Sequence, residues 1–127
     1  MRALVIALAL IGTPAAAAGE QFDLVCEGRF KPRINARWRP TESRYRIDLS
    51  TSAWCNGQCT EVRQIASIET GKIILSRSSP GERLYALHEL DRVAGTYQHY
   101  FSGGLSFHRE EGRCTVAPFS GFPSARF

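Results

Sequence analysis

The sequence predicts an all-β protein, with a small antiparallel up-and-down β-barrel of about eight short strands favoured over the alternative, a β-sandwich. Apolar and polar residues alternate with a period of two along the chain, and no helical apolar period persists after residue 18. Turn-forming residues recur about every 8–12 residues, as in barrels and sandwiches. The connections are all short, so a meander is the simplest topology, and its first and last strands must pair for the sheet to close.

Four strands are predicted in the first half of the chain, at residues 22–27, 45–50, 62–68 and 72–77. In the first strand Phe22, Leu24 and Cys26 share one face, because side chains on a strand alternate between its two faces. The second is the clearest half-buried strand, since Tyr45 and Ile47 alternate with charged residues. The third and fourth strands form a hairpin around a Glu-Thr-Gly turn.

Four further strands are predicted at residues 84–90, 96–101, 105–109 and 113–117. The first two flank a four-residue loop ending at Gly95, where glycine tolerates the left-handed conformation that closes the loop. A Gly-Gly pair turns the chain again. The last two strands form a hairpin around residues 110–112, where we expect Glu110 and Glu111 to be solvated. The remaining residues, from 118 onward, are expected to pack as an irregular cap.

Residues 1–18 have the composition of a cleaved secretory signal peptide. Arg2 supplies a short positive region, residues 3–11 are apolar, and residues 16–18 are the small alanines that a signal peptidase needs. The apolar run is about half the length that spans a bilayer, so we expect no transmembrane segment. We therefore expect a single β domain over residues 19–127 that is periplasmic or secreted, and soluble after signal cleavage.

The four cysteines predict two disulfide bonds, because an even number of cysteines in an exported chain is typical of a disulfide framework. Three pairings are possible. We favour Cys26–Cys114, whose cysteines lie in strand-like segments near the two ends of the domain, and Cys55–Cys59, which enclose an Asn-Gly-Gln turn. In the minor alternative, Cys55 and Cys59 are thiols that bind a soft metal or act as a redox pair.

The charge of the chain is concentrated between Arg29 and Arg46, where seven basic residues and one acid give a net charge of +6, against −3 for the rest of residues 19–127. We interpret this stretch as a long, arginine-rich loop between the first two strands. Arginine matches phosphate and carboxylate groups, and a concentrated positive field steers anions. The candidate anion-binding residues are Arg33, Arg37, Trp38, Arg39 and Arg44.

The leading hypothesis is an exported, non-enzymatic protein that binds an anionic lipid or glycan of the cell envelope through this stretch. The alternative for the stretch is a solvated loop whose cations pair with the acidic remainder of the chain. We do not expect nucleic acid as a partner, because the compartment argues against it. No nucleophile elbow, phosphate-binding glycine loop or zinc-protease helix is present, and we expect no enzyme activity.

Histidines offer a second minor alternative, a metal site. With the four-residue loop ending at Gly95, His88 lies directly opposite His99. Two facing imidazoles can begin a metal site, with Glu89 or His108 as a further ligand. Because no third ligand can be placed from the sequence, we expect no bound metal and no cofactor.

The chain resembles small exported β-barrels such as the bacterial lysozyme inhibitors. The shared features are its size, its signal peptide and a predicted disulfide, Cys26–Cys114, between the two ends of the domain. The resemblance is one of architecture and extends to no motif that can be matched residue by residue. It implies a periplasmic inhibitor or protein-binding module that acts on another envelope protein through exposed loops. An inhibitor of a cationic lysozyme would more naturally be acidic, whereas this chain has a net charge of +4.

Overall fold

The structure of the chain is a computed structural model that describes residues 19–124, and the predicted all-β fold is confirmed in this range. The predicted signal peptide, residues 1–18, lies outside the described residues. The nine strands are β1 (Gln21–Lys31), β2 (Arg39–Asp48), β3 (Ala53–Asn56), β4 (Arg63–Gln64), β5 (Ser67–Glu69), β6 (Lys72–Arg77), β7 (Tyr85–Asp91), β8 (Thr96–Gly103) and β9 (Ser106–Ala117).

All nine strands form one antiparallel sheet in the order β4-β3-β2-β1-β9-β8-β7-β6-β5. The first and last strands, β1 and β9, pair with each other, as the meander requires. The two edge strands, β4 and β5, are separated along the chain only by Ile65 and Ala66. The amide of Ile65 donates to the carbonyl of Ser52 (2.7 Å), and that of Ala66 donates to the carbonyl of Leu75 on β6 (3.3 Å). This segment therefore connects the two edges of a sheet that curls into a half-barrel.

Two predictions about the first half of the chain are wrong. β1 and β2 stay paired as far as Phe30 and Arg39, so the connection between them is only residues 32–38 and not a long loop. The strand predicted at residues 62–68 is divided into β4 and β5, because the chain leaves β3 and joins β6 at Ile65 and the residue after it.

β9 is one uninterrupted strand, whereas we predicted a hairpin turn at residues 110–112. Gly112 stays in the ladder, where it pairs with Gly28 of β1 on one side and with Tyr97 of β8 on the other. The side chain of Glu110 is buried and is not solvated at a turn. A glycine inside a strand often marks a close approach of neighbouring groups, and that is its role here.

Both predicted disulfide bonds are confirmed. Cys26 of β1 lies directly opposite Cys114 of β9 and is bonded to it, and Cys55 of β3 is bonded to Cys59 in the turn that follows. Two disulfides fit an extracellular or otherwise oxidising environment. Among residues 19–124 there is no helix long and apolar enough to cross a membrane.

The apolar core fills one half of the concave face of the sheet. Its buried side chains are Phe22, Leu24, Cys26, Tyr45, Ile47, Trp54, Ile65, Ile73, Leu75, Leu90 and Tyr97. On the convex face, Asp23 is fully buried beneath residues 118–124. The backbone amide and the hydroxyl of Ser120 both donate hydrogen bonds to its carboxylate. These residues form an irregular cap, as the sequence predicts.

Candidate functional site

Polar side chains line the other half of the concave face, near the connection between β1 and β2. His88 of β7 lies directly opposite His99 of β8, which in turn lies opposite Glu110 of β9, so strand alternation puts all three on this face. His108 precedes Glu110 by two residues and shares the face. We call His88, His99, His108 and Glu110 the histidine cluster. Burying polar groups costs free energy unless they are hydrogen-bonded, and an apolar core does not need them. A cluster of buried and half-buried polar side chains beside the core is therefore a candidate functional site.

Glu110 is held as a buried carboxylate by three hydrogen-bonding partners. Its Oε2 atom accepts hydrogen bonds from the Tyr97 hydroxyl (2.7 Å) and from the Ser43 hydroxyl (2.8 Å). Its Oε1 atom lies 3.1 Å from Nε2 of His108. Burial by itself would raise the pKa of Glu110, but these hydrogen bonds lower it below its ordinary value. The side chain is therefore ionised at neutral pH.

His88 and His99 stack face to face, with ring centroids 4.0 Å apart and an angle of 9° between the ring planes. Nε2 of His88 lies 2.9 Å from the Tyr45 hydroxyl. Burial, reinforced by His99, lowers the pKa of His88 well below its ordinary value, and burial likewise lowers the pKa of His99. Both rings are thus neutral at pH 7, and a neutral imidazole carries a lone pair that can bind a metal.

The histidine cluster opens to solvent through a cleft of about 640 Å³ between β2 and the β6–β8 part of the sheet. His88, His99 and Glu110 line it. Two arginines also line the cleft, and each is paired with an acid: Arg44 with Asp23 (2.9 Å), and Arg63 with Glu61 (3.3 Å).

The predicted register that places His88 opposite His99 is confirmed. Of the two further ligands considered, His108 lies beside His99, with ring centroids 5.1 Å apart. Glu89 alternates with His88 on β7 and so faces the convex side, where it accepts a hydrogen bond from Gln98. Sequence reasoning missed Glu110, although its i, i+2 spacing from His108 is the spacing of strand neighbours on one face.

The other candidate site lies where residues 32–38 approach the β8–β9 turn. Trp38 is the last residue of this connection and contacts cations of β1 and β9. The guanidinium carbon of Arg29 lies 4.2 Å from the centroid of the Trp38 ring, and Nζ of Lys31 lies 4.9 Å from it. The guanidinium of Arg109 is 6.0 Å from the same ring. Trp38 thus contacts cations of both β1 and β9. Arg109 lies outside the basic stretch of the sequence and was not predicted among the anion-binding residues.

The structure does not bring the five predicted anion-binding residues together. Arg33 and Arg37 are exposed in the connection that contains Trp38, and Arg39 is exposed at the start of β2. Arg44 lies five residues further along β2 and forms a salt bridge with the buried carboxylate of Asp23.

Two exposed apolar side chains lie in the same region as Arg33. Ile34 is 69% exposed and Leu105, in the β8–β9 turn, is fully exposed. Both line the same depression, of about 520 Å³, together with Arg33 and Phe107. We call this region the basic end of the sheet; its residues are Lys31, Arg33, Ile34, Arg37, Trp38, Arg39, Leu105 and Arg109.

The Cys55–Cys59 pair is a disulfide, so neither sulfur is a thiolate that can bind a metal.

In comparisons with protein-family models, with curated proteins and with solved structures, nothing matches this chain.

Proposed function

We propose that this protein is exported to the periplasm or secreted, has no enzyme activity, and binds anionic membrane surfaces through the basic end of the sheet. The observation that carries the proposal is the position of Ile34 and Leu105, two exposed apolar side chains that line one depression together with Arg33, in and next to the most basic segment of the chain. The two disulfides and the composition of residues 1–18 support export.

The charges of the basic end favour an anionic partner. Segment 29–46 has a net charge of +6 and the rest of residues 19–127 has −3. Five of the seven basic residues of the segment, from Arg29 to Arg39, lie at the end of the sheet where β1 and β2 are connected, which favours a positive potential there. Each lysine or arginine close to an anionic bilayer contributes about 1 kcal/mol to binding. Arg33, Arg37 and Arg39 are exposed there and can reach lipid phosphates.

The apolar residues favour a lipid over an acidic glycan. Proteins that lie on a membrane insert apolar side chains below the headgroups while basic side chains contact the phosphates. Ile34 and Leu105 project from two adjacent connections and so can enter the bilayer together. Trp38, with its half-buried ring, is of the residue type that is enriched at the level of the headgroups.

Co-sedimentation with phosphatidylcholine vesicles, with and without phosphatidylglycerol, tests the proposal. We expect binding only to the anionic vesicles. The triple variant R33S/R37S/R39S should bind about 100-fold more weakly, since it loses three contributions of about 1 kcal/mol each. The matched control is K72S/R92S/R113S, which removes the same charge from exposed positions at the far end of the sheet, where β7 and β8 are connected. The control should bind at least half as tightly as the wild type.

A second pair of variants separates a lipid from a glycan. I34S/L105S should weaken vesicle binding but leave retention on heparin unchanged, whereas V93S, at an 88% exposed position in the β7–β8 loop, should alter neither. The proposal fails if the wild type does not sediment with anionic vesicles, or if the far-end triple variant loses as much binding as R33S/R37S/R39S. Binding to heparin without binding to vesicles would assign a glycan and overturn the lipid.

A further inference from the structure

The histidine cluster contains three side chains whose metal-binding atoms converge. One imidazole nitrogen each from His99 and His108 and one carboxylate oxygen of Glu110 all lie within 4.8 Å of one another. We propose that these three residues form a binding site for a divalent transition-metal ion of the zinc class. The site is separate from the basic end, and neither proposal depends on the other.

Among the partners of Glu110, only His108, itself a proposed ligand, contacts the oxygen that would bind a metal. Tyr97 and Ser43 both donate to Oε2, which fixes the orientation of the carboxylate. Oε1 is directed towards His108, with Nε2 of that ring 3.1 Å away. Carboxylate ligands of metals are commonly held by such outer partners, and these partners set the direction of the free oxygen.

Both histidines are oriented by aromatic contacts that do not occupy their nitrogens, and a bound metal would replace the proton that Nε2 of His108 shares with Oε1 of Glu110. The His108 ring stacks on Phe101, with centroids 5.3 Å apart, and on Phe30, with centroids 6.0 Å apart. The His99 ring stacks on His88 at 4.0 Å. Stacking fixes the plane of an imidazole without using its in-plane nitrogen lone pair, so these contacts hold the rings as ligands.

The distances between the ligand atoms suit a metal after a small adjustment. Zinc bonds of about 2.0–2.1 Å in a tetrahedron place neighbouring ligand atoms about 3.3 Å apart. The His108–Glu110 separation of 3.1 Å is already close to this value, and the widest separation of the three atoms, up to 4.8 Å, must shorten. His99 and Glu110 both line the 640 Å³ cleft, so a fourth position is open to water or to another small ligand.

The ligand chemistry selects the class of metal. Two imidazole nitrogens and one carboxylate oxygen suit zinc and copper, whereas calcium and magnesium prefer sites made of oxygen alone. Of the two arginines in the lining of the cleft, Arg44 directs its guanidinium to Asp23 on the convex face, and Arg63 is paired with Glu61. Their charges therefore oppose a bound cation less than free guanidinium groups would.

Zinc binding by the oxidised protein, expressed from the full chain and purified without a histidine tag, tests the site. Equilibrium dialysis followed by elemental analysis at pH 7.5 should find one Zn²⁺ per chain, and millimolar Ca²⁺ should not displace it. The ligand variants are H99F, H108F and E110Q. Phenylalanine preserves ring stacking at the two histidines, and glutamine can still accept hydrogen bonds from Tyr97 and Ser43. Each ligand variant should bind zinc at least about 100-fold more weakly, because even loss of an orienting group costs about 10–100-fold.

The matched control is H88F, which keeps a ring stacked on His99 but removes a histidine that is outside the proposed ligand set. It should bind zinc within threefold of the wild type. Near-UV circular dichroism and a free-thiol count establish that every variant is folded and oxidised, and so separate ligand loss from unfolding. The proposal is overturned if the folded wild type binds no stoichiometric zinc, if H108F and E110Q bind it as the wild type does, or if H88F abolishes binding.

Discussion

Gly28 of β1 and Gly112 of β9 face each other across the sheet, two residues from the Cys26–Cys114 disulfide. A methyl group on either glycine would overlap a backbone carbonyl of the opposite strand. A methyl group on Gly28 would also lie 2.8 Å from the hydroxyl of Tyr97, which passes over it to reach Glu110. The pair of glycines therefore makes room for the tyrosine that fixes the buried carboxylate.

We expect G112A to lower the free energy of unfolding by about 1–3 kcal/mol, the usual cost of overpacking a closely packed interior. The backbone must shift to relieve the overlap with the carbonyl of Glu27, because no flexible side chain is available to move. Urea unfolding monitored by tryptophan fluorescence measures the change. The control is G19A, at a position with nothing within 4 Å of the added methyl group. Equal midpoints for G112A and the wild type would contradict the prediction.

The two disulfides should contribute unequally to stability. Cys26 and Cys114 are 88 residues apart along the chain, whereas Cys55 and Cys59 are four apart. In the chain-entropy model, closing these loops stabilises the fold by about 4.5 and about 2 kcal/mol. The double variant C26A/C114A should therefore unfold at a lower urea concentration than C55A/C59A. The reverse order would show that native-state packing at the short bridge outweighs loop entropy.

Acid should weaken the fold partly through Asp48. Hydrogen bonds from Ser50 and Gln21 lower the pKa of this carboxyl from 3.8 to about 2. Because the folded-state pKa lies below the unfolded one, the unfolded chain takes up the proton first as the pH falls. The stabilisation is therefore complete above about pH 4 and is lost as the pH falls towards 2.

The D48N variant isolates this contribution, since asparagine keeps an oxygen that can accept from Ser50 but does not titrate. Its stability should change less between pH 4 and pH 2 than that of the wild type, as measured by thermal unfolding across the pH series. E82Q changes an exposed carboxylate in the β6–β7 connection, and the pH dependence of its stability should match that of the wild type. An identical pH dependence in D48N and the wild type would rule out this role for Asp48.

The hydroxyl of Tyr97 should affect zinc affinity without touching the metal. It donates to Oε2 of Glu110, and loss of a group that orients a ligand lowers metal affinity by about 10–100-fold. We expect Y97F to weaken zinc binding by at least about tenfold while H99F and H108F weaken it further. Y100F is the control, because Tyr100 alternates with His99 on β8 and lies on the convex face. Unchanged affinity in Y97F would remove Tyr97 as a positioning residue.

Local patterns predicted much of the fold because strand alternation and turn chemistry act over a few residues. The four-residue loop ending at Gly95 sets the register of β7 and β8, and so the pairing of His88 with His99 followed from counting residues. The same local rules misplaced β9. Glu-Glu-Gly is a common turn sequence, and it is kept extended here by pairing with β8 on one side and with β1, about 80 residues away, on the other.

Period-two alternation, short connections and cysteine spacing are properties of the chain, and they were enough to predict the all-β class, the meander with β1 beside β9, and the favoured one of three disulfide pairings. Which polar residues meet depends on the tertiary structure. Glu110 reaches His99 and His108, and Trp38 reaches Arg109, only through the register of β9 against its two neighbours. A slip of one residue would send those side chains to the opposite face, and that register is set by packing across the whole sheet.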